Sequence, residues 1–455
     1  MLGVKVGRSE APSRIHCHWV SLMSIGVQAR WDGALLPPGC PTAACHRNFS
    51  RFFLLEMSFN PSNNSSLHIQ EEHNTLMDSS STGTVFLPRE IILEILTRLP
   101  AKPLMRFKCV SKFFYSLITE PLFAKVHHDR SSARPGGTHI LLTLRYPAQT
   151  HFYTIDDTGE DKGKLQANRV HYLEGKQFKN LNISSQANGL ICLFNHHGDV
   201  SICNPSSRQH ISYPRAAASP KSQIYTSSIL GFDPISEKYK VLKLQIWYDL
   251  YLGDLKRQYC VLTLGVDKSW REISNALLRY PNESVHIGGI IYLISSINEQ
   301  EIVTFNVGDE NIGSVPFPGI EVKKSFHLML LRLSFMEIDG RLAVVHIQSN
   351  NFAERVMDIW ILEKSMKWEK HSISVPWEES LIVKDSMDIV STCTNLGEIV
   401  MLIHVRGSLR VLLYSITKHV WRKFEVCGLD DHLYDYHRRS NNAVDFMQEN
   451  LYFFD

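Results

Sequence analysis

Several short runs in this chain hold residues that could do chemistry. Gly159-Glu160-Asp161-Lys162-Gly163-Lys164-Leu165 has the glycines and lysines of a phosphate-gripping loop. It is too short for one and lacks the Ser or Thr hydroxyl that would hold magnesium, so it reads as a charged turn. His16-Cys17-His18, and Cys40 with Cys45-His46, offer soft metal ligands, but their spacing fits no four-ligand zinc pattern. His127-His128-Asp129 ends an apolar helical run, where histidine suits the negative helix terminus. His196-His197-Gly198-Asp199 reads as a strand-to-strand turn, and Asp430-Asp431-His432 through Asp435-Tyr436-His437 as an acidic surface loop. The sequence contains no Gly-x-Ser-x-Gly elbow and no His-Glu-x-x-His pair. No run supplies a nucleophile, a base and an oxyanion hole together. We therefore nominate no catalytic residue, no metal ligand and no cofactor, and expect the chain to work by binding.

The bulk properties agree with that expectation. The 455 residues leave room for two or three domains. Apolar content of 44% with 21% charged residues is that of a soluble globular protein. A net charge of +2 gives no bulk basic surface for nucleic acid. The longest uncharged apolar run, near Ile287–Ile297, falls short of the roughly 20 residues a bilayer requires. Nine scattered cysteines form no C-x-x-C pair and read as reduced thiols, which places the protein in the cytoplasm, the nucleus or both.

The elements come next. In residues 85–126, VFLPREIILEILTRLPAKPLMRFKCVSKFFYSLITEPLFAKV, the apolar residues Ile92, Ile95, Leu96 and Leu99 recur at helical spacing. Pro88 suits a first helical position, and Pro100 and Pro103 should stop the helix. Leu104, Phe107, Val110, Phe114, Leu117 and Ile118 make a second run, and Thr119-Glu120-Pro121 opens a third. Three short helices are expected. So small a unit cannot bury all these side chains, and the exposed remainder should seek a partner.

The order Leu87-Pro88, Ile92, Ile95-Leu96, Arg98-Leu99-Pro100, Leu104, Arg106-Phe107-Lys108-Cys109-Val110-Ser111-Lys112, Ile118 and Phe123 resembles the plant F-box, which we place at 85–130. The family has tryptophan where Phe114 stands; phenylalanine fills that slot without the indole donor. The resemblance implies docking onto a Skp-type adaptor, and through it onto a cullin scaffold. The implied contacts are Leu87, Pro88, Ile92, Ile95, Leu96, Leu99, Pro100, Leu104, Phe107, Val110, Phe114 and Ile118.

On either side of that unit the texture changes. Residues 1–84 lack any period, and we read them as a disordered leader and linker or an upstream extension, with Met57 a plausible start. From 138 to 426 short β-rich runs recur. Examples are Asn188-Gly189-Leu190-Ile191-Cys192-Leu193 with Val200-Ser201-Ile202-Cys203-Asn204-Pro205, Gly288-Gly289-Ile290-Ile291-Tyr292-Leu293, Asp339-Gly340-Arg341-Leu342, and Leu396-Gly397-Glu398-Ile399. The unit is a glycine turn, a strand, a loop, a strand, a polar turn, then Trp270, Trp368 or Trp421. A period of about 50 residues across this span predicts a β-propeller of six blades, with the tryptophans packed between blades. Residues 427–455 are set apart as a tail. Its Glu449-Asn450-Leu451-Tyr452-Phe453 matches an engineered protease site except that Phe454 replaces the required glutamine, so the tail reads as native.

Asn188-Gly189-Leu190-Ile191-Cys192, Cys203-Asn204-Pro205-Ser206, and Gly231-Phe232-Asp233-Pro234 with Tyr239-Lys240-Val241 resemble the plant F-box-associated, kelch-related domain. Together the resemblances imply an α+β multidomain chain, a three-helix F-box followed by an all-β propeller. Its implied role is that of the non-catalytic subunit of an SCF-type ubiquitin ligase that recognises a target protein, whose identity is unknown. The alternatives are a propeller that binds a small molecule or glycan, with the F-box serving regulation, or an F-box adaptor that degrades nothing. Trp247, Tyr248, Tyr251 and Tyr280 are nominated as target contacts because exposed aromatics are favoured at binding hot spots.

Overall fold

The computed structural model describes residues 87–131 and, with interruptions, 138–452. The expectations for residues 1–84, for most of the 159–165 run and for Asp430–His437 lie outside the described residues.

Residues 87–131 form four helices, one more than the sequence predicts: α1 (Arg89–Thr97), α2 (Ala101–Lys108), α3 (Lys112–Thr119) and α4 (Pro121–Ser131). The second periodic run breaks because Ser111 is extended and its hydroxyl accepts the Phe114 N–H at 3.2 Å, capping α3. Pro103 does not stop a helix. It sits in the first turn of α2, where its missing N–H removes no intrahelical bond. Ile92, Leu96, Leu104, Leu117, Ile118 and Phe123 fill the core between the helices.

The rest of the described chain is almost entirely strand, in five hydrogen-bonded sheets. In chain order the first strands are β1 (Thr138–Arg145), β2 (Thr150–Ile155) and β3 (Lys164–Arg169). Four separate four-stranded antiparallel sheets follow. They are β4 (Ile183–Ala187), β5 (Leu190–Phe194), β6 (Val200–Asn204) and β7 (Gln209–Tyr213); then β8 (Gln223–Asp233), β9 (Lys238–Asp249), β10 (Asp254–Thr263) and β11 (Arg271–Glu272). The next are β12 (Glu283–Ile287), β13 (Ile290–Ile294), β14 (Glu301–Asn306) and β15 (Ile312–Pro316); then β16 (Leu333–Ile338), β17 (Arg341–Ser349), β18 (Arg355–Leu362) and β19 (Trp368–Val375). Last come β20 (Val390–Cys393), β21 (Glu398–Val405), β22 (Ser408–Ser415), β23 (Val420–Cys427) and β24 (Ala443–Gln448).

The six separate blades expected are thus five sheets, and the difference lies at the ring closure. β23 pairs in parallel with β3, Glu425 opposite Lys164, so β20–β23 and the strands β3-β2-β1-β24 merge into one eight-stranded sheet. β24 comes from the segment set apart as a tail, and it pairs antiparallel with β1, with Ile140 opposite Phe446. The domain therefore runs past residue 426, because only a late strand can complete a sheet begun by the first one. β4, β8, β12, β16, β20 and β24 neighbour one another in succession, and they are the inner strands of the ring.

Local chemistry explains the repeat. Asn188-Gly189, Gly288-Gly289 and Asp339-Gly340 each put two residues at positive φ, the conformation a two-residue hairpin turn demands. Asn204 Oδ1 accepts the N–H of Ser206 at 2.9 Å, and Asp233 Oδ1 that of Ile235 at 3.1 Å, so the Asn-Pro and Asp-Pro words are side-chain-stabilised turns. Trp270, Trp368 and Trp421 each pack against a core shared by two sheets, as the sequence predicts. Trp368 adds a hydrogen bond from its indole N–H to Pro316 O in the preceding sheet, at 2.9 Å.

Candidate functional site

The helical unit separates its apolar residues into two sets. Ile92, Leu96, Leu104 and Ile118, nominated above as adaptor contacts, are interior residues, and Leu104 and Ile118 are fully buried. Leu104 and Ile118 present no surface to a partner in the folded unit, and Ile92 and Leu96 present little. Leu87, Pro88, Pro100 and Val110 are exposed, and Ile95, Leu99, Phe107 and Phe114 are half-buried. Val110 stays 52% exposed because the α2–α3 break turns it outward. Ile91, Tyr115 and Leu122 are exposed as well. The sequence reading passed over them; Ile91 lies in the first turn of α1, just after the exposed Leu87-Pro88 pair that leads into it.

Electrostatic contacts hold these helices in place. Arg89 clamps the Glu120 carboxylate with Nη2 at 2.7 and 3.0 Å, tying the start of α1 to the α3–α4 junction. Glu94 lies between Arg130, at 2.8 Å, and Arg98, and these guanidiniums hold its carboxyl below the usual range. Phe114 packs against Phe107 and Phe113, each with ring centroids 5.4 Å away. Phenylalanine thus occupies an aromatic cluster that makes no demand for an indole donor. Lys108 spans the Tyr115 ring at 4.7 Å, and burial pushes its ammonium pKa down.

The helical unit meets the ring of sheets through the last described residues. Ala101 N–H donates to the Glu449 carboxylate at 3.1 Å, and Leu451 is fully buried in the helical core. Asn450 Nδ2 donates to Asn188 O at 2.6 Å and to the Tyr239 hydroxyl at 2.8 Å on the propeller. Burial raises the Tyr239 phenol pKa, so that hydroxyl stays neutral and able to bond. Lys125 of α4 pairs with Glu237 in the β8–β9 turn. No pattern in the sequence marks Glu449–Tyr452 for this position.

These contacts show which end of the propeller carries the helices. Asn188, Ser206, Glu237 and Tyr239 all lie at the end that carries the helices. Trp247 and Tyr248 lie near the other end of β9. At a strand rise of about 3.3 Å per residue, Tyr248 is roughly 30 Å from Tyr239. Trp247 is half-buried, whereas Tyr248 is exposed and stands opposite exposed Leu255 on β10. Tyr225 of β8, opposite Ile246, is also exposed. Tyr251 and Tyr280 lie outside the described residues.

The candidate chemistry runs lie elsewhere. His127 Nε2 is 2.9 Å from Leu99 O and takes part in helix packing. The His196–Asp199 turn is held by Asn195, whose Oδ1 accepts the N–H of His197 at 2.9 Å and of Asp199 at 3.1 Å. Among the described residues no group of His, Cys, Asp and Glu could hold a metal ion.

Comparison with known proteins matches both parts. The F-box domain family matches residues 86–125, and the F-box associated beta propeller domain family matches residues 139–450. A protein of Arabidopsis thaliana named as the F-box protein At1g30920 is 28% identical over 386 residues, covering 79% of this chain and 92% of that protein. Another from the same plant, the F-box protein At1g30790, is 29% identical over 322 residues, covering 66% of this chain and 77% of that one. With its helical unit in the first match and its ring of sheets in the second, the chain belongs to the family of F-box proteins that carry an F-box associated beta propeller domain.

Proposed function

We propose that the protein is the target-recognition subunit of an SCF-type ubiquitin ligase. The F-box seats on a Skp-type adaptor, and the adaptor joins a cullin scaffold. The propeller holds a target protein so that ubiquitin-charged enzyme elsewhere in the complex reaches its lysines. The contribution is proximity, which raises effective concentration, and no residue of this chain takes part in bond chemistry. Cys192, Cys203, Cys260 and Cys427 are in no disulfide, which suits a reducing cytoplasm or nucleus as the place of work.

The observation that carries this reading is the exposed apolar set Leu87, Pro88, Ile91 and Val110 on a helical unit whose core is already filled. Apolar surface left over from a complete core marks an interaction site. A second support is the seating of the F-box at one end of the propeller, which leaves the opposite end, with Tyr225, Tyr248 and Leu255, for a target.

The test is reconstitution. The full chain is mixed with a Skp-type adaptor and a cullin of its own organism and run on a sizing column. Co-elution of all three supports the proposal, and wild-type chain that binds no adaptor of that organism overturns it. Affinity purification with the proteasome blocked then identifies the target.

A further inference from the structure

We infer that Glu449, Asn450, Leu451 and Tyr452 form a clasp that holds the F-box in one position on the propeller, and so sets the distance from the adaptor-facing helices to the opposite end, which carries Tyr225, Tyr248 and Leu255. The functional consequence rests on the ligase reading, whereas the clasp itself rests on geometry alone.

The four residues grip both sides. Toward the F-box, the Glu449 carboxylate accepts Ala101 N–H at 3.1 and 3.2 Å, at the start of α2, whose N-cap position is Pro100 with no side-chain cap. The Glu449 carbonyl meets His128 Nδ1 at 3.2 Å and Ser131 Oγ at 3.5 Å on α4. Leu451 packs with Leu104, Leu117, Ile118 and Phe123, as if it were a side chain of the F-box itself. Toward the propeller, Asn204 Nδ2 donates to the carbonyls of Asn450 and Tyr452 at 3.1 and 2.8 Å, and Asn450 N–H donates to Ser206 Oγ at 3.2 Å. The Asn450 amide nitrogen reaches Asn188 O and the Tyr239 hydroxyl, and the Tyr452 ring meets Tyr239 edge-on at 5.0 Å.

Asn450 is 6% exposed and bonded through both ends of its amide. Rotating it, or swinging the F-box away, would strand buried polar groups, which is far costlier than breaking a surface bond. The Lys125–Glu237 pair that also joins the two parts is more than half exposed on each side, where ion pairs hold little. The clasp follows directly on β24, the strand that completes the eight-stranded sheet. Ring closure and F-box placement are therefore set by one continuous segment.

The experiment compares full-length wild type, an Asn204→Ala/Asn450→Ala double variant and a chain ending at Gln448, all without adaptor. The shortened chain removes Leu451 and can unfold the F-box outright. An Asn450→Ala single variant, which leaves the Asn204-stabilised turn in place, is run beside the double variant, which removes no apolar core side chain and is the decisive one. Its far-UV circular dichroism should match wild type, while small-angle scattering should show a broader distance distribution. Amide exchange across residues 101–108 should speed up by on the order of tenfold or more. Scattering and exchange superimposable on wild type would overturn the clasp. Adaptor binding is titrated separately, so a wild-type chain that ignores the adaptor sinks the ligase reading and leaves the clasp result intact.

Discussion

The backbone N–H of Ala101 donates to the side chain of Glu449 across 348 residues of chain, joining the second helix of the F-box to the segment that closes the propeller. Pro100 offers that helix no side-chain cap, so a carboxylate from the far end of the sequence takes the role. Negative charge at a helix N-terminus also meets the positive end of the helix dipole.

Glu449→Ala should therefore destabilise the F-box by about 1 kcal/mol, the usual cost of a lost cap. Glu449→Gln keeps one acceptor and should lose less. Thermal melts of the two variants check this, and an unchanged melting temperature for Glu449→Ala would refute the capping role.

The division of the F-box into core and surface separates two kinds of variant. Leu87→Ala combined with Pro88→Ala removes exposed groups. It should weaken adaptor binding by on the order of 3 kcal/mol, roughly a hundredfold, with folding unchanged. Leu104→Ala removes a fully buried side chain and should cost about 2–5 kcal/mol of stability. Adaptor titration with circular dichroism on both variants tells them apart. Equal effects of the two on folding would contradict the division.

Close packing between sheets is testable at Gly231. A Cβ there would lie 2.5 Å from Val307 Cγ2 and 3.0 Å from Ile291 Cδ1 of the next sheet. Gly231→Ala should cost about 1–3 kcal/mol through overpacking. Pairing it with Val307→Ala should recover part of that loss, and a double variant no more stable than Gly231→Ala would count against the contact.

Lys243 gives the propeller a pH signature. It is fully buried, donates to Gly198 O at 2.6 Å and lies 4.3 Å from the Trp270 ring centroid. Burial pulls its pKa down to about 8 from an ordinary 10.5. Between those values the unfolded chain holds a proton that the folded chain has lost, so stability contributed by this site rises with pH there. Relative to Lys243→Met, the unfolding free energy of wild type should climb by up to about 3 kcal/mol from pH 8 to 10.5. Denaturant titrations at pH 7, 8, 9 and 10 measure the difference. Parallel curves would show that Lys243 does not titrate in this range.

Particular residues show how far the sequence could be read. Asn188-Gly189 and Asp339-Gly340 announced hairpins, because few residue pairs accept two positive φ angles in a row. The tryptophans announced packing between sheets, since each repeat leaves an apolar face that only a neighbour can cover. The helical period from Ile92 to Ile118 announced short helices and the order of residues from Leu87 to Phe123 resembled the F-box, but neither announced the fourth helix. That break depends on a Ser111 cap, which looks in sequence like any other polar residue.

The sequence by itself determined what is local: helix faces, turn conformations, side-chain caps in turns, and the repeat that makes a lone unit unstable. Each follows from the dihedral preferences and hydrogen-bonding reach of residues a few positions apart. Tertiary structure alone decided which periodic apolar residues are interior and which face outward, since Leu104 and Val110 belong to one run yet differ from fully buried to half exposed. It alone decided that β3 and β23 merge two sets of strands into one sheet, that β24 returns to β1, and that Leu451 completes a core begun at Ile92. Pairings across hundreds of residues carry no local pattern, because they form only where ring closure brings the two ends of the chain together.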